Sequence, residues 1–416
     1  MSRLNRNFVV ACLCCVCLGW SQAGLAQDLC GVRYKEPVFS NVTTTYGIPY
    51  SSACAEGQST PSSLSLDFYE PVGDTLAARP LVITVFGGGF VSGSRDATDM
   101  VAYCEQFAKY GYVTASIDYR LISVFDVNFT SMVREAYIAT QDLSAAIRFF
   151  KANSAYYRID TNRVFLLGNS AGSIAILHEI FMTEDERPAA TYNAPDLGPI
   201  HQSGSPSHFN YSPKVAGAVS QWGGVMDLDI LDVEDYVPIC MIHGMKDNIV
   251  PYDSGYCLSF SSGSMPFMYG SHTIARRFDE IGIRNYEFHP FEGESHCFYI
   301  FGFNTLIQSK FKACFNITRD FFYKVMMDQP FSVPGENRDE LRVYPNPAAD
   351  YVQVELPGAE ITRLVLHDLQ GRVVRMSEVT RGTVVLSVEG IPQGLYLLTV
   401  TDSTGRSVVH KLVVRG

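Results

Sequence analysis

The feature that most constrains this chain is residues 168–172, Gly168-Asn169-Ser170-Ala171-Gly172. They lie between the apolar run Val164-Phe165-Leu166-Leu167 and the segment Ser173-Ile174-Ala175-Ile176-Leu177-His178. A strand, a sharp turn and a helix are spelled there, with a serine at the apex. Such a turn strains the serine backbone and brings helix and strand so close that a side chain at 168 or 172 would clash, hence the two glycines. Ser170 Oγ is expected to stand out over the sheet edge, with the Ala171 amide aimed at the space where an oxyanion would form. The same pentapeptide also occurs as a plain glycine-rich turn with an inert serine, so its surroundings must decide.

Three further segments supply what a nucleophilic serine needs. Upstream, Leu81-Val82-Ile83-Thr84-Val85-Phe86 reads as a buried strand ending in Gly87-Gly88-Gly89-Phe90. Successive glycines let backbone amides approach a substrate oxygen unobstructed, and one such donor is worth ~3 kcal/mol in a transition state. Downstream, Val237-Pro238-Ile239-Cys240-Met241-Ile242-His243 runs into Gly244-Met245-Lys246-Asp247-Asn248-Ile249-Val250-Pro251, which puts Asp247 just past a strand end, where an acid can orient an imidazole. Asp253 is a rival in the same loop; Asp227, Asp229 and Asp232 are weaker ones. His296 follows in the polar loop Pro290-Phe291-Glu292-Gly293-Glu294-Ser295-His296, after the strand Asn285 to His289. His178, His201, His208, His243, His272 and His289 read as ordinary surface or core histidines. The order Ser170, Asp247, His296 suits a triad on a strand-turn-helix scaffold.

Residues 64–325 resemble the α/β-hydrolase superfamily, in particular the carboxylesterase and hormone-sensitive-lipase-like branch. The two glycine motifs carry the resemblance, together with Asp118-Tyr119-Arg120-Leu121 and Ile159-Asp160-Thr161-Asn162-Arg163-Val164. It implies that the amides of Gly88, Gly89 and Ala171 form the oxyanion hole. Two positions depart from that branch. Phe86 stands where a histidine usually precedes the glycines, so the loop must be ordered from elsewhere. Asn169 replaces the usual acid before the serine, which removes a charge near the site.

The pattern along the chain is that of an α/β protein. Strands Leu64 to Tyr69, Leu81 to Phe86, Tyr112 to Ile117, Val215 to Ser220, Pro238 to His243 and Asn285 to His289 alternate with helices Met100 to Tyr110, Ser131 to Lys151 and Ser271 to Ile281. This predicts a doubly wound, mostly parallel sheet with its site at the carboxyl ends of the strands. Thr183 to Pro213, with five prolines, is too long for an ordinary connector and is expected to fold over the elbow as a cap. Ser254 to Gly270, carrying Phe260, Met265, Phe267, Met268 and Tyr269, either packs on the body or supplies an apolar acyl wall.

The chain's ends carry other signals. Arg3 and Arg6, an apolar stretch from Phe8 to Trp20, and Gly24-Leu25-Ala26 read as a secretory signal peptide, residues 1–26. A faint lipoprotein-like box at Val9-Val10-Ala11-Cys12 is set aside, because the apolar run continues well past it. Of eleven cysteines, Cys12, Cys14, Cys15 and Cys17 leave with the leader; among the remaining seven, Cys30 and Cys54 form the expected local pair. Cys104 and Cys240 read equally well as buried apolar residues. The hydrolase-like pattern closes with a helix from Ala313 to Met327, followed by a linker over residues 331–340. Residues 341–416 alternate as short strands with Gly/Asp/Asn turns, the pattern of a small all-β sandwich. With Val343-Tyr344-Pro345-Asn346-Pro347-Ala348, Leu369-Gln370-Gly371-Arg372-Val373-Val374, Gly394-Leu395-Tyr396 and Lys411-Leu412-Val413-Val414-Arg415, this segment resembles the C-terminal sorting domain of the Bacteroidetes type IX secretion system.

A net charge of −11, with 32 basic and 43 acidic residues, argues against nucleic acid as a partner. No segment of the mature chain approaches the ~20 apolar residues of a membrane span. No Cys/His spacing suggests a metal, and no cofactor is expected. The combined expectation is an α/β-hydrolase domain over residues 27–330, acting on carboxylic esters through Ser170, His296 and Asp247, with a sorting domain that engages the type IX machinery and carries it through the periplasm to the cell surface or medium. The alternatives are an exopeptidase of the same superfamily and a non-catalytic surface adhesin on a hydrolase scaffold.

Overall fold

The computed structural model describes residues 33–55, 60–232, 237–258, 265–302, 304–328, 341–356, 360–368, 372–378, 384–403 and 407–415. The signal-peptide expectation (1–26), Cys30 and the linker (331–340) lie outside them. The chain divides into two compact units, the second beginning at Phe331.

The first unit is built on eight strands: β1 (Val42–Ala53), β2 (Ser62–Pro71), β3 (Arg79–Val85), β4 (Val113–Ile117), β5 (Ile159–Asn169), β6 (Gly217–Gln221), β7 (Ile239–Gly244) and β8 (Tyr286–Phe291). Their order across the sheet is β1-β2-β4-β3-β5-β6-β7-β8. From β4 onward every pairing is parallel, whereas β2 runs antiparallel to both β1 and β4. Parallel strands are covered on both faces, which is why β3 and β6 are buried at every position and, apart from Arg79 and Gln221 at their ends, read as runs of apolar or small residues. Strand β1 has no counterpart in the sequence reading. It is an edge strand rich in Thr and Ser, contains Pro49, and has only Tyr50 fully buried, so it offers no apolar run to read.

The helices are α1 (Thr98–Lys109), α2 (Phe129–Ala152), α3 (Ala171–Phe181), α4 (Ser271–Ile281) and α5 (Gln308–Asp328). Helix α2 starts in a capping box: Asn128 Oδ1 accepts the Ser131 N–H at 3.1 Å, and Ser131 Oγ accepts the Asn128 N–H at 2.8 Å. Helix α5 starts earlier than its apolar periodicity indicates, because its first turn is the polar Gln308-Ser309-Lys310.

The segment 183–213 corrects an expectation. It consists of short 3₁₀ turns laid along α2, and none of its residues lines the cavity beside Ser170. A chain with few internal hydrogen bonds needs donors for its carbonyls, and α2 supplies them. Arg134 donates to Ala190 O and Pro195 O, each at 2.8 Å; Tyr137 donates to Gly198 O at 2.7 Å, Gln141 to Leu197 O at 2.8 Å, and Arg148 to Ser203 O at 2.6 Å. The segment is a strap on a helix, held away from the elbow.

In the second unit, Arg342–Tyr344, Tyr351–Glu355 and Val384–Ser387 form one antiparallel sheet, and Ile361–His367, Val373–Glu378, Gly394–Asp402 and Ser407–Val414 form another. Val352, Val354 and Leu386 from the first share a core with Leu364, Leu398 and Leu412 from the second. This is the expected all-β sandwich. Since each unit owns its core, removal of residues 338–416 is expected to leave the first unit's circular dichroism and its cooperative thermal transition intact. Loss of that transition in the purified truncated protein would contradict the boundary.

Candidate active site

Strand β5 passes into α3 through Ser170, whose backbone sits at φ 51°, ψ −121°. A non-glycine residue there costs about 1–3 kcal/mol and persists only where its surroundings enforce it. The enforcement is visible: Ser170 N donates to Gln221 O on β6, and Ile174 N donates to Ser170 O, both at 2.9 Å. Gly172 is needed for the approach of α3 to the sheet, since a Cβ there would lie 2.2 Å from the Val85 carbonyl oxygen.

Ser170 Oγ lies 2.8 Å from His296 Nε2, and His296 Nδ1 lies 2.6 Å from Asp247 Oδ2. The pairing of β7 with β8 delivers both partners, because its register ends at Gly244 opposite Phe291. Beyond that point the two loops continue side by side, with Met245 N donating to Phe291 O at 2.9 Å and Lys246 N to Glu294 O at 2.8 Å. Asp247 Oδ1 accepts the amides of Ile249 at 2.9 Å and Val250 at 3.0 Å. Asp253 pairs instead with exposed His272. Burial works against a charge on Asp247, yet the imidazole N–H groups of His243 and His296 beside it outweigh that and hold its carboxyl down at about 2. Burial likewise opposes the His296 imidazolium, but the bond to Asp247 wins and raises it to about 9.

The glycine loop lies against the elbow. A Cβ on Gly87 would come within 2.5 Å of Asn169 Oδ1. Gly88 has φ 129°, and a Cβ there would meet Ser92 O at 1.9 Å, so the tight turn closed by Val91 N and Ser92 N on Gly88 O requires glycine. Phe86, the residue in place of a histidine, stacks on Tyr119 with ring centroids 4.3 Å apart, and Tyr119 OH donates to Phe86 O at 3.0 Å. Tyr119 thus orders the loop. Ala171 opens α3, where an amide has no acceptor within its helix. Gly88, Gly89, Ser170, Ala171 and His296 all line one cavity of about 680 Å³.

The sequence reading missed a buried polar network beneath the serine. Asn169 Nδ2 donates to Asp99 Oδ2, which also accepts Tyr299 OH at 3.2 Å. Tyr299 OH lies 2.6 Å from Gln221 Oε1, and Gln221 Nε2 donates to Tyr103 OH at 2.7 Å. Although position 169 carries no acid, its side chain is hydrogen-bonded to one, Asp99, whose carboxyl is raised by burial. In sequence, Asp99 reads only as an acid in the first turn of a helix. The rest of the cavity is mostly apolar, with Phe90, Val127, Met132, Ile174, Leu258 and Ile300 among its walls beside the polar Thr98 and Asn304, and no Lys or Arg lines it among the described residues. Cys257, Leu258 and Met265 contribute from the segment 254–270, whereas Met268 packs into the core; Phe260 lies outside the described residues.

Cys240, Glu287 and His289 come close enough to hold a metal, but Lys324 already engages Glu287 at 2.9 Å. Among the described residues, Cys54, Cys104, Cys240, Cys257, Cys297 and Cys314 form no disulfide with one another; Cys30, the expected partner of Cys54, lies outside them.

Residues 66–234 match the family model BD-FAE, and residues 342–415 match the secretion system C-terminal sorting domain. The larger unit has the α/β-hydrolase fold and carries the match to a family model of that kind. A stretch of 164 residues is 26% identical to Lipase 2 of Geotrichum candidum, covering 38% of this chain and 29% of that protein. Another 136-residue match is 29% identical to a probable isoprenylcysteine alpha-carbonyl methylesterase of Oryza sativa subsp. japonica, covering 32% of this chain and 29% of that one. The chain thus spans less than a third of the length of these two curated relatives. The native esterase Est2 of Thermogutta terrifontis superposes with a TM-score of 0.48 at 20% identity, covering 74% of this chain and all of that one.

Gly172→Ala tests the elbow packing of the hydrolase unit. A methyl group driven against the Val85 carbonyl is expected to cost ~3 kcal/mol or more, lowering the melting temperature by about 5 °C or more in a thermal-shift measurement. An unchanged melting temperature would contradict the close approach.

Proposed function

We propose that the hydrolase unit is an exported serine esterase that cleaves carboxylic esters with apolar acyl groups through an acyl-enzyme. The observation that carries this reading is the unbroken line Ser170 Oγ, His296, Asp247, at 2.8 and 2.6 Å, beside a glycine loop in a cavity. Ser170 attacks the ester carbonyl while His296 Nε2 takes its proton and returns it to the departing alcohol. Asp247 holds the Nδ1–H tautomer and stabilises the imidazolium. The amides of Gly88, Gly89 and Ala171 receive the oxyanion. Water then repeats the sequence on the acyl-enzyme.

The cavity narrows the substrate class. Its walls are mostly apolar and, among the described residues, carry no Lys or Arg, while the Asp99 carboxyl would repel a second negative charge, so apart from His296 itself no side chain there offers a counter-charge to an anionic acyl group. Its size, about 680 Å³, suits a small to medium ligand. The C-terminal sorting domain supports delivery by the type IX route, with the first 26 residues as the leader.

A panel of p-nitrophenyl esters from acetate to palmitate tests the reading, with turnover expected for neutral short and medium acyl chains; no turnover across the panel would contradict it. Catalysis needs neutral His296, and Asp247 raises its pKa. Activity must therefore fall as the pH drops through that raised value, placing the acid limb of kcat/KM above the ordinary histidine value of about 6.5. A limb at or below it would contradict the assigned base. Asp247→Asn is expected to lower kcat roughly a thousandfold or more while leaving a residue of activity from the hole and from binding.

A further inference from the structure

His243 is the last residue but one of β7 and is completely buried. Its Nε2 lies 3.2 Å from two acceptors, the carbonyl oxygen of Val250, to which it is hydrogen-bonded, and Asp247 Oδ2. Neither oxygen carries a hydrogen, so the proton between them belongs to Nε2. On the ring's other side Nδ1 is hydrogen-bonded to Ser271 Oγ, 2.8 Å away at the start of α4. The ring is held from both sides. Asp247 Oδ2 is the same oxygen that meets His296 Nδ1, while the Val250 amide donates to Asp247 Oδ1.

We propose that His243 is a positioning residue for the triad, its Nε2–H clamping the turn 247–250 and facing the Asp247 carboxylate so that the acid's direction and charge toward His296 are set. This inference rests on the functional reading above for its catalytic consequence. Two imidazoles thus share one carboxylate oxygen, His296 at 2.6 Å and His243 at 3.2 Å. Without the second N–H, more of the carboxylate's charge faces His296, the imidazolium is favoured, and the base is neutral only at higher pH. The turn also loses the tie between Val250 O and the strand.

The other groups around the pair are few. Tyr252 meets the His243 ring edge-on at 5.8 Å, Cys297 follows His296 in the chain, and the Trp222 ring lies 6.2 Å from that of His296. Glu294 on the same loop is paired with Lys310 at 2.6 Å.

The experiment compares His243→Leu, His243→Gln and Ser271→Ala with the wild type. In His243→Leu the acid limb of kcat/KM is expected to move up by about half a pH unit or more, with kcat falling roughly tenfold and KM little changed. Gln, which retains an amide N–H within reach, restores the limb. Ser271→Ala frees that side of the ring, loosens the aim of Nε2 at Asp247, and moves the limb in the same direction by less, which decides the matter should His243→Leu fail to fold. The His296 pKa is read independently from its Cε1 proton by NMR titration, assigned against His296→Ala. A lowered melting temperature with unmoved limb and unmoved NMR pKa, in His243→Leu or in Ser271→Ala, would reduce His243 to core filler and overturn the proposal. If the wild type cleaves no ester, the functional reading fails, while the NMR titration still decides whether His243 acts on Asp247 and His296.

Discussion

Everything at the site depends on the contact between α3 and the end of β3, where Gly172 lies against the Val85 carbonyl. That approach holds the chain in a left-handed turn at Ser170 and leaves its hydroxyl above the sheet. It also sets the amide of Ala171 next to the glycine loop that continues from the same strand β3. The strain at Ser170 is absorbed by hydrogen bonds to β6 and α3. A cavity walled mostly by apolar side chains thereby receives an oriented nucleophile.

The second determinant is the parallel pairing of β7 with β8. It places the Asp247 loop alongside the His296 loop, and backbone bonds between them continue past the last strand residues. The acid's two oxygens are divided between functions. Oδ1 is spent on the amides of its own turn, and Oδ2 faces the two imidazoles. Beneath them, Asp99, Asn169, Tyr299 and Gln221 tie the elbow to α1, β6 and the stretch following His296 through buried hydrogen bonds. Partial satisfaction in such a network would be costly.

Much of this was legible in the sequence because the motif residues sit at ends of apolar runs, where hydrophobic pattern and glycine chemistry coincide. The elbow, the glycine loop and Asp247 have that form, whereas His296 follows in a polar loop beyond its strand; the structure brings Ser170, His296 and Asp247 within hydrogen-bonding range. What escaped was specified by tertiary partners. Strand β1 is polar because it lies at an edge. The strap 183–213 carries prolines suited to a lid, yet the donors that fix it lie on the outer face of α2, which periodicity alone does not identify. Asp99 and His243 are single polar residues inside ordinary elements. Their roles emerge only when chain segments far apart in sequence meet at one carboxylate or one amide.

The central claim, that Ser170 is an activated nucleophile, is tested most directly by covalent labelling. The protein would be treated with a fluorophosphonate, digested, and the adduct located by peptide mass spectrometry. The account predicts a single stoichiometric adduct on the peptide containing Ser170, strongly slowed in His296→Ala. Labelling at another residue, or none at Ser170 in folded protein, would contradict it.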